Sequence, residues 1–357
     1  MNAEIKTSII LGGIIIVAII FLAIIFIELD ESASINQDLG TTEAPNLVGI
    51  SHYLNTSSEE LEKKMEDKVI LYDIWTYSCI NCIRTLPFIT SWDEKYSDHG
   101  LLVIGIHSPE FEFEKDPQNV KIAIEKYGIT YPVVMDNSME TWKAFENNYW
   151  PRKYIADHKG NLRYDHIGEG GYQETEKIIQ QLLDERAIAM NIENISENKL
   201  VAIKEFEHTL FRTPELYFGY KFVQNRNQLG SDEGFQPERI VKYSEPNNIE
   251  LNKFYPIGNW KNHEDSMELT KSTGLIKVSF DAKEVNIVTK NNAQLKIYLD
   301  GVPLTKKHAG SDIIFGNKMD VSNAGMYNII NSETRIAHIM EIVIEGKGFQ
   351  VFTFTFG

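Results

Sequence analysis

Asp73-Ile74-Trp75-Thr76-Tyr77-Ser78-Cys79-Ile80-Asn81-Cys82 joins two kinds of pattern. The apolar, β-rich stretch Val69-Ile70-Leu71-Tyr72 runs into it, and a segment that reads as helix, Ile80 to Lys95, runs out of it. Its two cysteines are the only ones among 357 residues. A C-x-x-C pair at a strand-to-helix junction puts the first sulfur at a helix N-terminus. Unpaired backbone N–H groups and the helix dipole there favour a thiolate over a thiol. The thiolate is the attacking species in disulfide exchange, and a second thiol three residues on resolves the mixed disulfide. The segment reads as a dithiol/disulfide redox centre, with no cofactor beyond the redox-active pair Cys79–Cys82.

Three other uses of such a pair stay open. Zinc needs four ligands; no second C-x-x-C exists, and His99 and His107 lack the usual close ligand spacing. A structural disulfide across C-x-x-C closes a loop too short to remove much unfolded-state entropy. A peroxidatic cysteine is favoured by Thr76, three residues before Cys79 as in peroxiredoxins. It is disfavoured by Tyr72, where their pattern has proline.

The neighbours sharpen the redox reading. Asp73 lies at the end of a strand that should be buried, where a carboxylate without a partner costs free energy and its pKa rises. That suits a base taking the proton from Cys82; the plainer alternative is a strand-end Asp held by backbone N–H groups. Trp75 either floors the site, shielding the sulfurs, or simply packs. Pro87 should kink the helix, and Arg84 either favours the thiolate or is a solvated charge. Farther on, Tyr149-Trp150-Pro151-Arg152-Lys153-Tyr154-Ile155-Ala156-Asp157, the turn His158-Lys159-Gly160-Asn161 and Leu162-Arg163-Tyr164-Asp165-His166-Ile167-Gly168 read as a β-hairpin. Proline at its start marks a specific turn, with a cis X-Pro bond as the guess.

Asp73, Trp75, Cys79, Cys82 and Pro87, with Pro151 ahead of a hairpin, resemble the thioredoxin superfamily. The long stretch from Cys82 to Pro151 is similar to the insertion of its TlpA/ResA-like branch. WTYSCINC, GIHSPEFEFEKDPQNV, GITYPVVMDN, YWPRKY and GEGGYQETE together resemble the thioredoxin-like portion of DipZ-type proteins. The resemblance implies Cys79 as nucleophile, Cys82 as resolving thiol and Asp73 as buried proton acceptor. It implies that substrate backbone docks at Pro151, with Trp75 and Trp150 as its neighbours. Disulfide-containing extracytoplasmic proteins are the implied partners. The dipeptide Ile80-Asn81 leaves the direction of electron flow open, since C-x-x-C proteins span roughly 100 mV or more; the resemblance leans towards a reductant or thiol-exchange role.

Ile9 to Ile27 form an apolar run of nineteen residues without a charge. At about 1.5 Å rise they nearly cover a hydrocarbon core of roughly 30 Å, which favours one retained transmembrane helix over a signal peptide cleaved near Ser32-Ala33-Ser34. Lys6 and the free amine on one flank, with Glu28, Asp30 and Glu31 on the other, place the globular part on the extracytoplasmic side. That is also where a dithiol meets disulfides. The sequons Asn55-Thr56-Ser57 and Asn194-Ile195-Ser196 fit an external location. A net charge of −16 without a long Lys/Arg block argues against nucleic acid as a partner.

The expected organisation is an anchor over 1–27, a polar tether over 28–44, a thioredoxin-like α/β domain over 45–187, a linker over 188–205 and a β-sandwich over 206–357. Within the α/β domain the pattern predicts helix near Ser58–Lys68, strand Val69–Trp75, helix from Cys79 and strand Leu101–His107. It then predicts helix near Pro117–Tyr127, strand Tyr131–Met135, the hairpin and helix Gln173–Ala187. After residue 206 short alternating runs, the hairpin signal Asp300-Gly301 and a closing Val351-Phe352-Thr353-Phe354-Thr355-Phe356 predict an all-β, jelly-roll-type sandwich. Thr213-Pro214-Glu215-Leu216-Tyr217-Phe218-Gly219-Tyr220 and Phe352-Thr353-Phe354-Thr355-Phe356-Gly357 resemble the C-terminal domain of DipZ-type proteins, which is similar to carbohydrate-binding modules. Glycans are thus a possible partner, with Tyr217, Phe218, Tyr220 and Trp260 as stacking candidates or core residues. DipZ-type proteins usually carry a multi-helix electron relay. One apolar run and two cysteines cannot form one, so a membrane electron donor with its own cysteine pair is expected. A surface binding protein with a vestigial redox fold is the alternative of another class.

Overall fold

The computed structural model describes residues 42–192, 199–206, 213–223 and 226–357. The expected anchor, nearly all of the tether and the second sequon lie outside the described residues. Among the described residues no helix is long and apolar enough to cross a membrane.

The first unit contains β1 (His52–Leu54), α1 (Ser58–Met65), β2 (Val69–Trp75), α2 (Ile80–Tyr96), β3 (Leu101–His107) and α3 (Pro117–Tyr127). It continues with β4 (Val133–Met135), α4 (Glu140–Ala144), β5 (Arg152–Ala156), β6 (Leu162–Ile167) and α5 (Tyr172–Met190). Its sheet has the order β1-β4-β3-β2-β5-β6, with β2, β3 and β4 parallel and the other pairings antiparallel. β2 is buried along its whole length, and its period of two separates the faces. Val69, Leu71 and Trp75 join a core with Cys82, Leu86 and Trp92 of α2 and Ile179 of α5. Ile70, Tyr72 and Ile74 join the opposite core, with Leu61 of α1. Asp73 therefore lies on the face that carries α2 and the cysteines.

Several bounds move for local reasons. The expected strand Tyr131–Met135 begins at Val133, because Pro132 has no N–H to give the ladder. α1 stops at Met65, where Glu66 leaves helical geometry and Asp67 turns to φ +56°. α5 runs on to Met190 and ends where Asn191 adopts the left-handed conformation. α2 runs continuously through Pro87, which is exposed on its outer side.

The second unit is all-β among its described residues: β7 (Leu216–Tyr217), β8 (Ile240–Tyr243), β9 (Lys253–Asn262), β10 (Met267–Leu269), β11 (Thr273–Lys290), β12 (Ala293–Leu299), β13 (Val302–Pro303), β14 (Lys318–Val321), β15 (Gly325–Glu345) and β16 (Gln350–Phe356). Asp300 and Gly301 both take positive φ between β12 and β13, as a primed hairpin turn requires. The hydrogen bonding differs from two separate sandwich sheets. The strands form one ten-stranded network, closed into a ring where β11 pairs β9 through Leu275–Ser279 and β16 through Val285–Lys290, while β10 joins β9 to β16. Register shifts near Ala282–Asn286 let one long strand serve both halves.

The two units share buried surface. Tyr217, Val288 and Phe352 belong to the same apolar cluster as Trp75 and Cys82. The rings of Phe113 and Phe111 lie 4.6 Å and 5.2 Å from that of Phe352.

A candidate dithiol redox site

α2 begins immediately after Cys79, whose extended backbone (φ −81°, ψ 114°) makes it the N-cap. Its sulfur accepts the Cys82 N–H at 3.2 Å, a donor that a helix start otherwise leaves unpaired. Both cysteines are free thiols; Cys79 is half-buried and Cys82 has no exposed surface. Burial first, and the adjacent Cys79 sulfur second, push the Cys82 thiol well above its ordinary range. One sulfur is reachable and the other is held in reserve as a thiol.

Asp73 is fully buried, and neither carboxylate oxygen has a hydrogen-bond partner. The strand-end alternative, an Asp held by backbone N–H groups, is thereby corrected. Burial lifts its pKa to about 6, against the pull of Lys153. The spacing of the resemblance did not point to Lys153. Its signal was a lysine at the head of the apolar run Tyr154-Ile155-Ala156, and the β2–β5 register sets it directly opposite Asp73. Lys153 is also fully buried, its Nζ donates to the Gly168 carbonyl at 3.1 Å, and burial lowers it to about 8 despite Asp73.

Trp75 has no exposed surface and meets the His107 ring edge-on at 5.4 Å. It floors the site and packs, which corrects its assignment as a substrate contact. Thr76 Oγ1 lies 3.3 Å from His107 Nε2, and burial lowers His107 to about 3, so that ring stays neutral. The Trp150–Pro151 bond is cis. Arg152 pairs with Ile74, so Pro151 stands one step beyond, at the end of β2 where the cysteine turn departs. Trp150 donates its indole N–H to the Ser108 carbonyl at 2.9 Å and packs 4.2 Å from Trp142. Along with Phe111, Phe222 and Phe352 it lines a cleft of about 910 Å³ between the two units.

Arg84 is neither a thiolate partner nor a solvated charge. It is nearly buried, pairs with Glu284 at 2.6 Å and Glu169 at 3.7 Å, and lies 3.4 Å over the Phe206 ring. It joins α2 to the β unit. Glu114 was also missed. Its carboxylate accepts the Ser78 hydroxyl at 2.6 Å and backbone N–H groups of Ser78, Glu110 and Phe111.

Burial decides between stacking platform and core for the four aromatic candidates. Tyr217, Phe218 and Trp260 are core residues, and only Tyr220 is half-exposed. The first sequon is occupied from within: Asn55 Nδ2 donates to the Ile129 and Tyr131 carbonyls at 3.0 and 3.1 Å. No cluster of three or more potential metal ligands occurs among the described residues.

A Redoxin family model matches residues 41–183, and a model described as a thioredoxin-like C-terminal domain matches residues 213–357. The chain is 32% identical over 359 residues to Protein DipZ of Mycobacterium tuberculosis, covering 100% of this chain and 48% of that one. It thus spans about half the length of that relative. It is also 32% identical over 141 residues to thiol-disulfide oxidoreductase YkuV of Bacillus subtilis, covering 40% of this chain and 94% of the relative. A solution structure of a thioredoxin-like protein in the oxidized form is 31% identical, covers 42% of this chain and 99% of its own, and superposes with a TM-score of 0.38. With 32% identity to a relative named a thiol-disulfide oxidoreductase, 94% of which it covers, the chain belongs to the thioredoxin-like thiol–disulfide oxidoreductases.

Proposed function

We propose that this protein is a membrane-anchored reductant of protein disulfides on the extracytoplasmic side. Cys79 thiolate attacks one sulfur of a client disulfide; that S–S bond breaks, a Cys79–client disulfide forms, and the client's other sulfur leaves and takes a proton. Asp73 then accepts the Cys82 proton, and Cys82 attacks Cys79. The second client sulfur departs as a thiol, and the protein is left with a Cys79–Cys82 disulfide. Two electrons have passed to the client. A membrane donor with its own cysteine pair restores the dithiol. Pro151 and Trp150 hold the client strand beside the reachable sulfur.

The supporting observation is Asp73, buried without a hydrogen bond. A buried carboxylate without a hydrogen bond is expensive even opposite Lys153, and a vestigial redox fold has no use for one. Its place on the α2 face suits transfer from a thiol that burial keeps protonated. The test is insulin reduction by the full chain in detergent micelles: turnover is expected from the natural chain and none from Cys79→Ser. Equal rates would overturn the proposal. A membrane-impermeant maleimide should label Cys79 in intact cells, and labelling only after lysis would reverse the topology.

A further inference from the structure

Ser78 immediately precedes the N-cap, and both of its donors end on one carboxylate. Its backbone N–H and its hydroxyl reach Glu114 Oε1 at 3.3 and 2.6 Å. The other oxygen, Oε2, accepts the Glu110 and Phe111 N–H groups at 2.7 and 2.9 Å. Glu114 and Ser78 are both buried, so each of these bonds is costly to leave unmade. The two bonds to Glu110 and Phe111 would suffice to shape the loop that carries Glu114. The bonds to Ser78 do something else, because they tie that loop to the turn that aims Cys79.

The far side of the same loop rests on the β unit. Tyr217 donates its hydroxyl to Glu110 Oε1 at 3.0 Å, while Phe111 and Phe113 pack on Phe352. Gly325, at the start of β15, sits against Tyr77, one residue before Ser78. The β unit therefore reaches the nucleophile's turn through a path of hydrogen bonds and packed rings.

We infer that Glu114 is a positioning residue for Cys79, and that the β unit holds the nucleophile in register through it. The inference deepens the proposed redox role and rests on it for its biological meaning. Its test needs no client: the alkylation rate of Cys79 by iodoacetamide, followed against pH on the reduced full chain. Glu114→Gln places an NH₂ donor against either Ser78 or the Glu110–Phe111 pair. Ser78→Ala keeps the carboxylate and removes the hydroxyl. A loosened cap weakens support for the thiolate, so both variants should move the alkylation midpoint upward and slow the reaction at pH 7 by about fivefold, the scale of a lost helix cap. The exposed neighbour variant Glu112→Gln should match the natural chain.

A purely electrostatic role predicts the opposite sign, since removing a nearby negative charge moves a thiol pKa down. A downward or absent shift in folded Glu114→Gln overturns the inference. If that chain fails to fold, Ser78→Ala decides, and an unaltered Cys79 profile overturns it. Failure of the natural chain to reduce insulin would instead strike the proposed function and leave this measurement intact.

Discussion

Asp73 shows how one side chain links stability to chemistry. Its folded pKa of about 6 stands above the ordinary value of 3.8. Between those values the folded chain keeps a proton that the unfolded chain releases, so Asp73's contribution to stability falls as pH rises through that window. Roughly two pH units correspond to about 3 kcal/mol. Asp73→Asn should raise the urea midpoint at pH 7.5 and leave it unaltered near pH 3, with part of the gain offset because Lys153 loses its counter-charge. An equal midpoint at pH 7.5 would contradict the burial argument. Catalysis should move the other way: in the proposed mechanism resolution by Cys82 draws on ionised Asp73, so insulin reduction should decline as pH is lowered through about 6. In Asp73→Asn that pH step should disappear from an already slow rate.

At the scale of elements, β2 and β3 were legible because each opens on an apolar run, Val69–Tyr72 and Leu101–Ile104. α3 was legible because Asp116 caps it, Pro117 opens it and Gly128 closes it. Long-range partners were not legible. Nothing near Arg84 in the chain announces Glu284, 200 residues away, and an arginine in a helix's first turns reads equally well as a surface charge. Lys153 became meaningful only through the register that sets it against Asp73. The aromatic segment around Tyr217 kept two readings for a related reason, since an exposed sugar platform and a core strand share one composition. Arg84→Met tests the helix-to-sheet link: with the side chain only 8% exposed, removing its charge from Glu284 should lower stability by about 3 kcal/mol. A urea midpoint within error of the natural chain would show the pair to be ornamental. At α1, Ser57 accepts the Glu60 N–H, and Ser57→Ala should cost about 1 kcal/mol in the same assay.

For the whole molecule, the informative feature is the apolar cluster that ignores the boundary between units. The alternating runs of the second half announced an all-β unit but not what it would rest on, because a strand's pattern says which face is apolar and not which neighbour covers it. Tyr217, Val288 and Phe352 share a core with Trp75 and Cys82, and Arg84 adds an ion pair across the same seam. The two units should therefore melt together, giving one calorimetric transition for the folded part with equal calorimetric and van't Hoff enthalpies. Two resolved peaks would refute the coupling.

Phe111 and Phe113 are each no more than 5% exposed, and Phe352 is part of their cover. Trimming the chain to residues 42–192 to obtain a minimal catalyst would strip that lid and leave a wet aromatic wall beside the reactive thiol. Such a fragment should self-associate, eluting early from a sizing column, and its sulfur would be the first thing a sister molecule touched.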